Sequence, residues 1–400
     1  MVEAMGEVLA DRERKNFSIL DLIRRKGPIT RTEISKETEL NIVTVSNYVN
    51  NYIQKGMVIE GGLDVSTGGR RPVVLELNPK AAYIVGVGLD LVNIIGIITD
   101  LKANVLVEIK KPRPEGGAEG FLIDALTDIV EELIKKSELD EGQIKGIGIG
   151  IPGIVDRKGG TIRWPEQMGS IYISTLKNML EQKFNMPVYV ENDATVAAFG
   201  EREFELESEV KNLVFMYSGV GCGIIINGQI YSGATGCSGE LGLPGLTDQE
   251  KQNFKGLDRW QADLGLKEKA QKAVITEGVD SKILELCGGD AGKIDFKSVV
   301  EAAREGDTLA IELVKKSGEE LGIRIAYLIQ MLNPEVVVIG GGIERAGSVL
   351  LDEIKRVVRD KTFEEIGHQV RIVPTQLGEN AVALGAVSLV IQHIFTHAMV

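Results

Sequence analysis

The sequence has little with which to hold itself together by covalent cross-links or a metal. It contains three cysteines, Cys222, Cys237 and Cys287, and only three histidines. An odd number of widely spaced cysteines makes neither a disulfide framework nor a CxxC metal knuckle, so reduced thiols are expected. Long apolar runs are scarce as well. The longest, around Leu89–Ile98, is interrupted by Asp90, Asn93 and Gly96, which argues against a membrane-spanning helix. Met1–Lys15 carries four acidic residues and no long apolar stretch, unlike a secretory signal. A soluble cytoplasmic protein with no membrane partner is expected.

What is present is ordinary globular composition, with 44% hydrophobic and 26% charged residues, which excludes disordered and collagen-like classes. At 400 residues the chain is long enough for two or three domains, each with its own core. A net charge of -13 argues, as an average, against nucleic acid. The average hides a division: residues 1–80 hold 12 basic and 11 acidic residues, and the rest 33 and 47. The acidity lies outside the N-terminal fifth, so a local nucleic-acid footprint is permitted there.

That N-terminal fifth reads as three short helices and a hairpin. Phe17–Arg25 is apolar on one helical face and stops before Gly27-Pro28. Thr30 and Glu33 have capping-box spacing for a second helix, RTEISKET. Leu40-Asn41 turns the chain into a third, Val43–Gln54, apolar at Val45, Val49, Tyr52 and Ile53. Its other face shows Thr44, Ser46, Asn47, Asn50 and Asn51. Strand-like Met57–Glu60 and Val73–Leu77 flank Gly61–Pro72. The order is that of a winged helix-turn-helix, whose third helix enters the DNA major groove. Thr30, Asn41, Thr44, Ser46 and Asn47 are the candidate base and phosphate contacts, and Arg70-Arg71, beside two glycines, suit phosphates or a narrow minor groove. Winged helices also bind proteins, and a polar helix face is often merely solvated. The paired arginines and the polar face together favour DNA.

From about Ala81 strands and helices alternate, which implies α/β architecture. Tyr83–Ile98 reads as one buried run, Phe121–Lys136 as an amphipathic helix, and Lys145–Pro152 as a glycine-spaced strand. Strand Val188–Val190 leads straight into Glu191-Asn192-Asp193. Similar alternation follows, ending with strand Val336–Ile339 and Gly340-Gly341-Gly342. Two similar lobes around a cleft are expected.

Five strings carry a family resemblance: GGRRP at 68–72, IPGIVD at 151–156, ENDATVAAFGE at 191–201, SGVGCGIIINGQIYSGATGCSGELG at 218–242 and NPEVVVIGGG at 333–342. In this order they resemble the ROK family (repressors, open reading frames, kinases), in its xylose-repressor-like and N-acetylglucosamine-repressor-like branch. The resemblance implies a winged helix-turn-helix at 1–80, then a two-lobed actin-like sugar-kinase fold of the ribonuclease-H-like type. Lobe 1 would span 81–190 with the C-terminal helix 381–400, and lobe 2, for sugar sensing and dimerisation, 191–380. It also implies a sugar site at Asn192, Asp193 and Glu240, more loosely Trp260 and Gln261, with Asp193 at the position of the kinase base. Asn192-Asp193 can also cap the helix that follows, a role compatible with the sugar contact that the resemblance favours, and a core or interface place for Trp260 is as well supported as stacking on a sugar.

The catalytic parts are incomplete. Family kinases carry Asp-x-Gly-Gly-Thr in the first hairpin, but here Asp90-Leu91-Val92-Asn93 lacks the glycine pair and the threonine. A second phosphate loop reads Gly219-Val220-Gly221, without its hydroxyl. Gly340-Gly341 survives, though a glycine run after a strand also serves packing. Asp90, Gly219, Gly221, Gly340 and Gly341 are therefore expected to be vestiges of a nucleotide site. The family's zinc motif is also altered, with Leu243 at the histidine position and neither Cys nor His in 244–286. No catalytic residue, zinc or ATP is expected. The expectation is a sugar-responsive repressor acting on operator DNA as a homodimer, or as a tetramer of two dimers. The alternative is an active ATP-dependent sugar kinase, like a glucokinase or N-acetylglucosamine kinase, with an accessory DNA-binding domain.

Overall fold

Helix α1 (Asp11–Lys26) buries Ile19, Leu20 and Ile23, the apolar face that the periodicity of this segment requires. Helix α2 (Arg31–Thr38) starts in a capping box: the Thr30 hydroxyl accepts from the Glu33 N–H at 3.2 Å, and the Glu33 carboxylate accepts from the Thr30 N–H at 2.8 Å. Helix α3 (Ile42–Gln54) follows a turn and buries Val45, Val49 and Tyr52. The computed structural model describes residues 11–63, 73–89, 93–112, 119–156, 159–163, 170–218, 221–241, 265–276 and 278–398. Strands β2 (Val58–Leu63) and β3 (Val73–Leu77) pair antiparallel, as expected of the hairpin. A third strand escapes the sequence reading: β1 (Ile29–Thr30) pairs with Val74 and Leu75, giving a sheet of order β1-β3-β2. Two residues are too few to show alternation.

The rest of the chain contains the same sheet twice. The first has the order β11-β7-β4-β5-β6, with β4 (Tyr83–Leu89), β5 (Asn93–Asp100), β6 (Val105–Pro112), β7 (Ile144–Ile151) and β11 (Val188–Asn192). The second has the order β14-β13-β12-β15-β16, with β12 (Leu213–Tyr217), β13 (Gly221–Ile226), β14 (Gln229–Ile230), β15 (Val336–Gly340) and β16 (Arg371–Pro374). In each, three strands run antiparallel and the fourth lies parallel to the first, β4 with β7 and β12 with β15. This duplication is the actin-like arrangement. Tyr83–Ile98 is not one run but most of a hairpin, in register from Tyr83↔Asp100 to Leu89↔Ile94. Both of its faces are covered, so no polar alternation marks where one strand ends.

The chain divides into two compact units, 1–151 with 159–191 and 382–400, and 152–158 with 192–381. In the first, helix α4 (Glu119–Ser137) lies on β5, and the terminal helix Ala381–Thr396 lies against β4 and β7. The approach is very close: a Cβ on Gly148 would sit 2.0 Å from the Ala386 carbonyl oxygen. The window Gly378–Thr396 is long and apolar enough to cross a membrane by length and composition, which the sequence reading overlooked. Of that window 61% is buried, and its apolar side chains belong to a protein core. Helix α5 (Ile173–Phe184) follows the small hairpin of β9 (Thr161–Arg163) and β10 (Ser170–Tyr172). A three-residue strand, β8 (Ile154–Asp156), belongs to the second unit.

In the second unit, helix α6 (Asp193–Phe204) packs on β12 and β13. Helices Thr308–Leu332 and Ser348–Lys361 pack on each other. They share a core with the sheet, in which Val214, Met216, Val337 and Ile339 meet Leu321, Ile325, Leu350 and Ile354.

Candidate functional site

The residues expected to touch DNA sit mainly at the start of α3. Asn41 is the N-cap: its side chain accepts from the Val43 N–H at 2.8 Å while the residue stays exposed. With Val45, Val49 and Tyr52 turned inward, Asn47 is exposed and Thr44 and Ser46 flank it half-buried. Thr30 is different. It is 7% exposed and its hydroxyl both accepts from and donates to Glu33, so it orients α2. Arg70 and Arg71 lie outside the described residues. Polar bonds hold α3 in place: the Tyr52 hydroxyl donates to Asn16 Oδ1 at 2.8 Å, and Asn16 Nδ2 donates to the Thr396 carbonyl at 3.2 Å. Burial raises the Tyr52 hydroxyl well above the ordinary tyrosine range, so it remains a proton donor.

Sequence reasoning passed over two residues on this surface, Ile42 and Val43. They are 42% and 64% exposed. An apolar residue at a helix start reads as core until the burial of Val45, Val49 and Tyr52 fixes which face points out.

The sugar candidates lie in the second unit, around the start of α6. Asn192 is the N-cap: its Oδ1 accepts from the Thr195 N–H and its Nδ2 donates to the Gly153 carbonyl, each at 3.0 Å. Both ends of the amide thus make bonds within the fold, and the cap is compatible with a further contact. Asp193 is 7% exposed and its carboxylate accepts from the Ala194 N–H at 2.8 Å. Gly221 and Gly223 let β13 lie against this helix start, for a Cβ on Gly223 would fall 2.2 Å from the Ala194 carbonyl oxygen. Glu240 bridges to Gly221, and the Cys222 N–H donates to the Gly239 carbonyl at 2.9 Å. Asn192, Asp193, Gly221 and Glu240 are thereby gathered on adjoining backbone. Two carboxylates there are acceptors suited to hydroxyl groups. Burial, and then the Glu240 charge, push the Cys222 thiol up to about 12, so it is no nucleophile.

Trp260, Gln261, Asp90 and Gly219 lie outside the described residues. Gly340 and Gly341 follow β15 and meet the end of β12. Ser218 Oγ donates to the Gly341 carbonyl at 2.8 Å, and Gly341 has φ +77, where a Cβ would lie 2.5 Å from Ser218 Oγ. The glycines here meet a packing requirement. Among the described residues no group of three or more His, Cys, Asp or Glu side chains is placed to hold a metal ion. Cys237 donates to the Val155 carbonyl, and Cys222 and Cys287 are buried as free thiols.

A buried glutamate supports the site from behind. Glu201, on α6, accepts from the Thr375 hydroxyl at 2.6 Å and from the Gln376 N–H at 2.9 Å, fixing the helix to the segment after β16. Burial raises its pKa, opposed by those hydrogen bonds. The available signal was α6 itself, whose small apolar residues surround its whole circumference and leave Glu201 no solvated face.

The winged helix-turn-helix DNA-binding pattern matches residues 12–59, and the ROK family pattern matches residues 84–393. The chain belongs to the ROK family. A xylose repressor of Caldicellulosiruptor bescii is 30% identical over 400 residues, covering 98% of this ROK chain and 99% of that protein. A ROK transcriptional regulator described as a homologue of the E. coli MLC protein superposes with a TM-score of 0.77. It is 24% identical and covers 96% of each chain, which shows the fold. A ROK glucokinase from Streptomyces griseus, in complex with glucose and AMPPNP, matches with a TM-score of 0.64 and 26% identity. It covers 99% of its own length but 77% of this ROK chain. The repressor spans this chain end to end, head included.

Proposed function

We propose that this ROK protein is a sugar-responsive transcriptional repressor, with xylose the first sugar to test. The observation that carries the reading is the full-length match to a xylose repressor, head and ROK part together. The functional parts are a reading head at 1–80, a lobe at 81–190 with 381–400, and a sensing and dimerising lobe at 191–380. Asn192, Asp193 and Glu240 bind sugar hydroxyls, and Trp260 and Gln261 are the further sugar contacts. Asn41, Thr44, Ser46, Asn47, Arg70 and Arg71 contact the operator. The protein acts in the cytoplasm as a homodimer, since a two-fold operator suits paired heads. Sugar shifts the equilibrium toward a state whose heads no longer fit the half-site spacing, which requires different sugar affinity in the two states.

Kinase chemistry is not favoured. Asp193 sits where a base would, but Val220 and Asp90–Asn93 lack the hydroxyls and glycines that hold transferring phosphates. A thermal-shift screen of sugars, followed by operator binding with each hit, tests the reading. A sugar that both stabilises the protein and releases DNA supports it. ATP-dependent turnover that disappears in Asp193→Asn overturns it in favour of the kinase.

A further inference from the structure

The outward stripe of α3 has a composition that bears on which bases it reads. Val43, Asn47, Asn50 and Gln54 recur at helical spacing opposite the buried Val45, Val49 and Tyr52. All four are exposed. The stripe is therefore one apolar branched side chain followed by three amides. No Lys, Arg, Asp or Glu occurs anywhere in Ile42–Gln54. Val43 is 64% exposed and its neighbour Ile42 42%, so two apolar side chains lie bare on the first turn.

A single exposed valine ordinarily needs no explanation. This pair stands where recognition helices bring side chains to base edges, at the helix N-terminus. The major groove there offers an apolar feature, the thymine 5-methyl group. Amide side chains pair with adenine N6 and N7, whereas guanine is read chiefly by Arg or Lys, which this helix lacks. Asn50 is partly committed, since its Oδ1 accepts from Arg31 Nη2 at 3.2 Å, and Arg31 also bonds Glu60 at 3.1 Å. Asn47, one turn from Val43, is the amide best placed for a base.

Resting on the repressor reading above, we propose that Val43 is a specificity-determining residue that packs on a thymine 5-methyl group. Asn47 takes an adjacent adenine, so the half-site facing α3 is built of A·T pairs. Discrimination at Val43 comes from apolar contact alone. It is lost when the methyl is removed and indifferent to the charge of the rest of the head.

The test uses the full chain and DNA selected by it from a random duplex pool. Each thymine of the selected site is then replaced by deoxyuridine, which removes only the 5-methyl group, and affinity is measured at fixed salt. One thymine position per half-site is expected to weaken wild-type binding about five- to tenfold on replacement. Val43→Ala should bind the two duplexes equally, and Val43→Ile should restore the difference. Selected half-sites centred on G·C pairs, or a uracil effect unchanged in Val43→Ala, overturn the proposal while leaving the repressor reading intact. Failure to enrich any sequence over random DNA removes both.

Discussion

Helices α3 and α6 begin in the same way and present opposite surfaces. Each starts at an asparagine N-cap whose side chain accepts a main-chain N–H of the first turn, Asn41 from Val43 and Asn192 from Thr195. The residues just inside the caps differ in burial: Ile42 is 42% exposed, whereas Asp193 is 7% exposed. Apolar side chains are presented to solvent at one helix start and a carboxylate is withdrawn from it at the other. Local capping chemistry places a helix start, and the surrounding sheet decides what that start can bind. The start of α3 is open to a broad partner from solvent, with Ile42 and Val43 both exposed. At the start of α6 the acidic group is buried and already accepts from the Ala194 N–H, and under the proposed function a small polyhydroxyl ligand would meet it there.

Removing the Asp193 carboxylate should have the largest effect. Asp193→Ala is expected to weaken the effector sugar by about a hundredfold, from lost hydrogen bonds to a charged acceptor. Sugar-free operator binding stays within twofold, and calorimetry with the screened sugar reads the difference. Unaltered sugar affinity would leave the buried start of α6 as a structural feature only.

The two caps should differ in what they contribute to stability. Asn192→Ala loses bonds at both ends of the amide and should cost about 2 kcal/mol, whereas Asn41→Ala, losing one exposed cap bond, should cost about 1 kcal/mol or less. Denaturant unfolding of the two variants makes the check, and equal losses would deny that α6 depends more on its cap. Glu201→Ala should cost about 1–3 kcal/mol by leaving Thr375 and the Gln376 N–H unpaired. The pH dependence has a definite sign. Burial raises the Glu201 pKa above its unfolded value, so its contribution is fully present below the ordinary carboxylate range and is lost as pH rises through the raised value. Glu201→Gln should flatten that decline in stability against pH. A steeper decline would reverse the assignment.

On the DNA side the effects are smaller and spread over many contacts. Arg70→Ala with Arg71→Ala should reduce the salt dependence of operator binding by about two ion equivalents. Unchanged slopes would detach the two arginines from the phosphates. Changes at Thr44, Ser46 or Asn47 should alter sequence preference more than overall affinity, with competition by random DNA as the readout.

Much of this was legible in the chain. Thr30 and Glu33 announced their capping box, and Val45, Val49 and Tyr52 announced the inner face of α3. The strings around Asn192 and Gly340 carried the family. What was not legible depends on distant partners. The hairpin of β4 and β5 reads as one run because the sheet is covered on both faces. Gly378–Thr396 is apolar because it packs on Gly86 and Gly148, far away in sequence. The burial of Glu201 could be read from α6, but its partners Thr375 and Gln376, over 170 positions later, could not.

The most direct test joins the two helix starts in one titration. Fluorescence anisotropy follows the full chain on its selected operator while xylose and a panel of other sugars are added. At least one sugar should lower operator affinity tenfold or more, and the same sugar should have no effect on Asp193→Ala bound to the same DNA. Operator affinity indifferent to every sugar, or a response retained in Asp193→Ala, would contradict a sugar-responsive repressor that senses its effector at the start of α6.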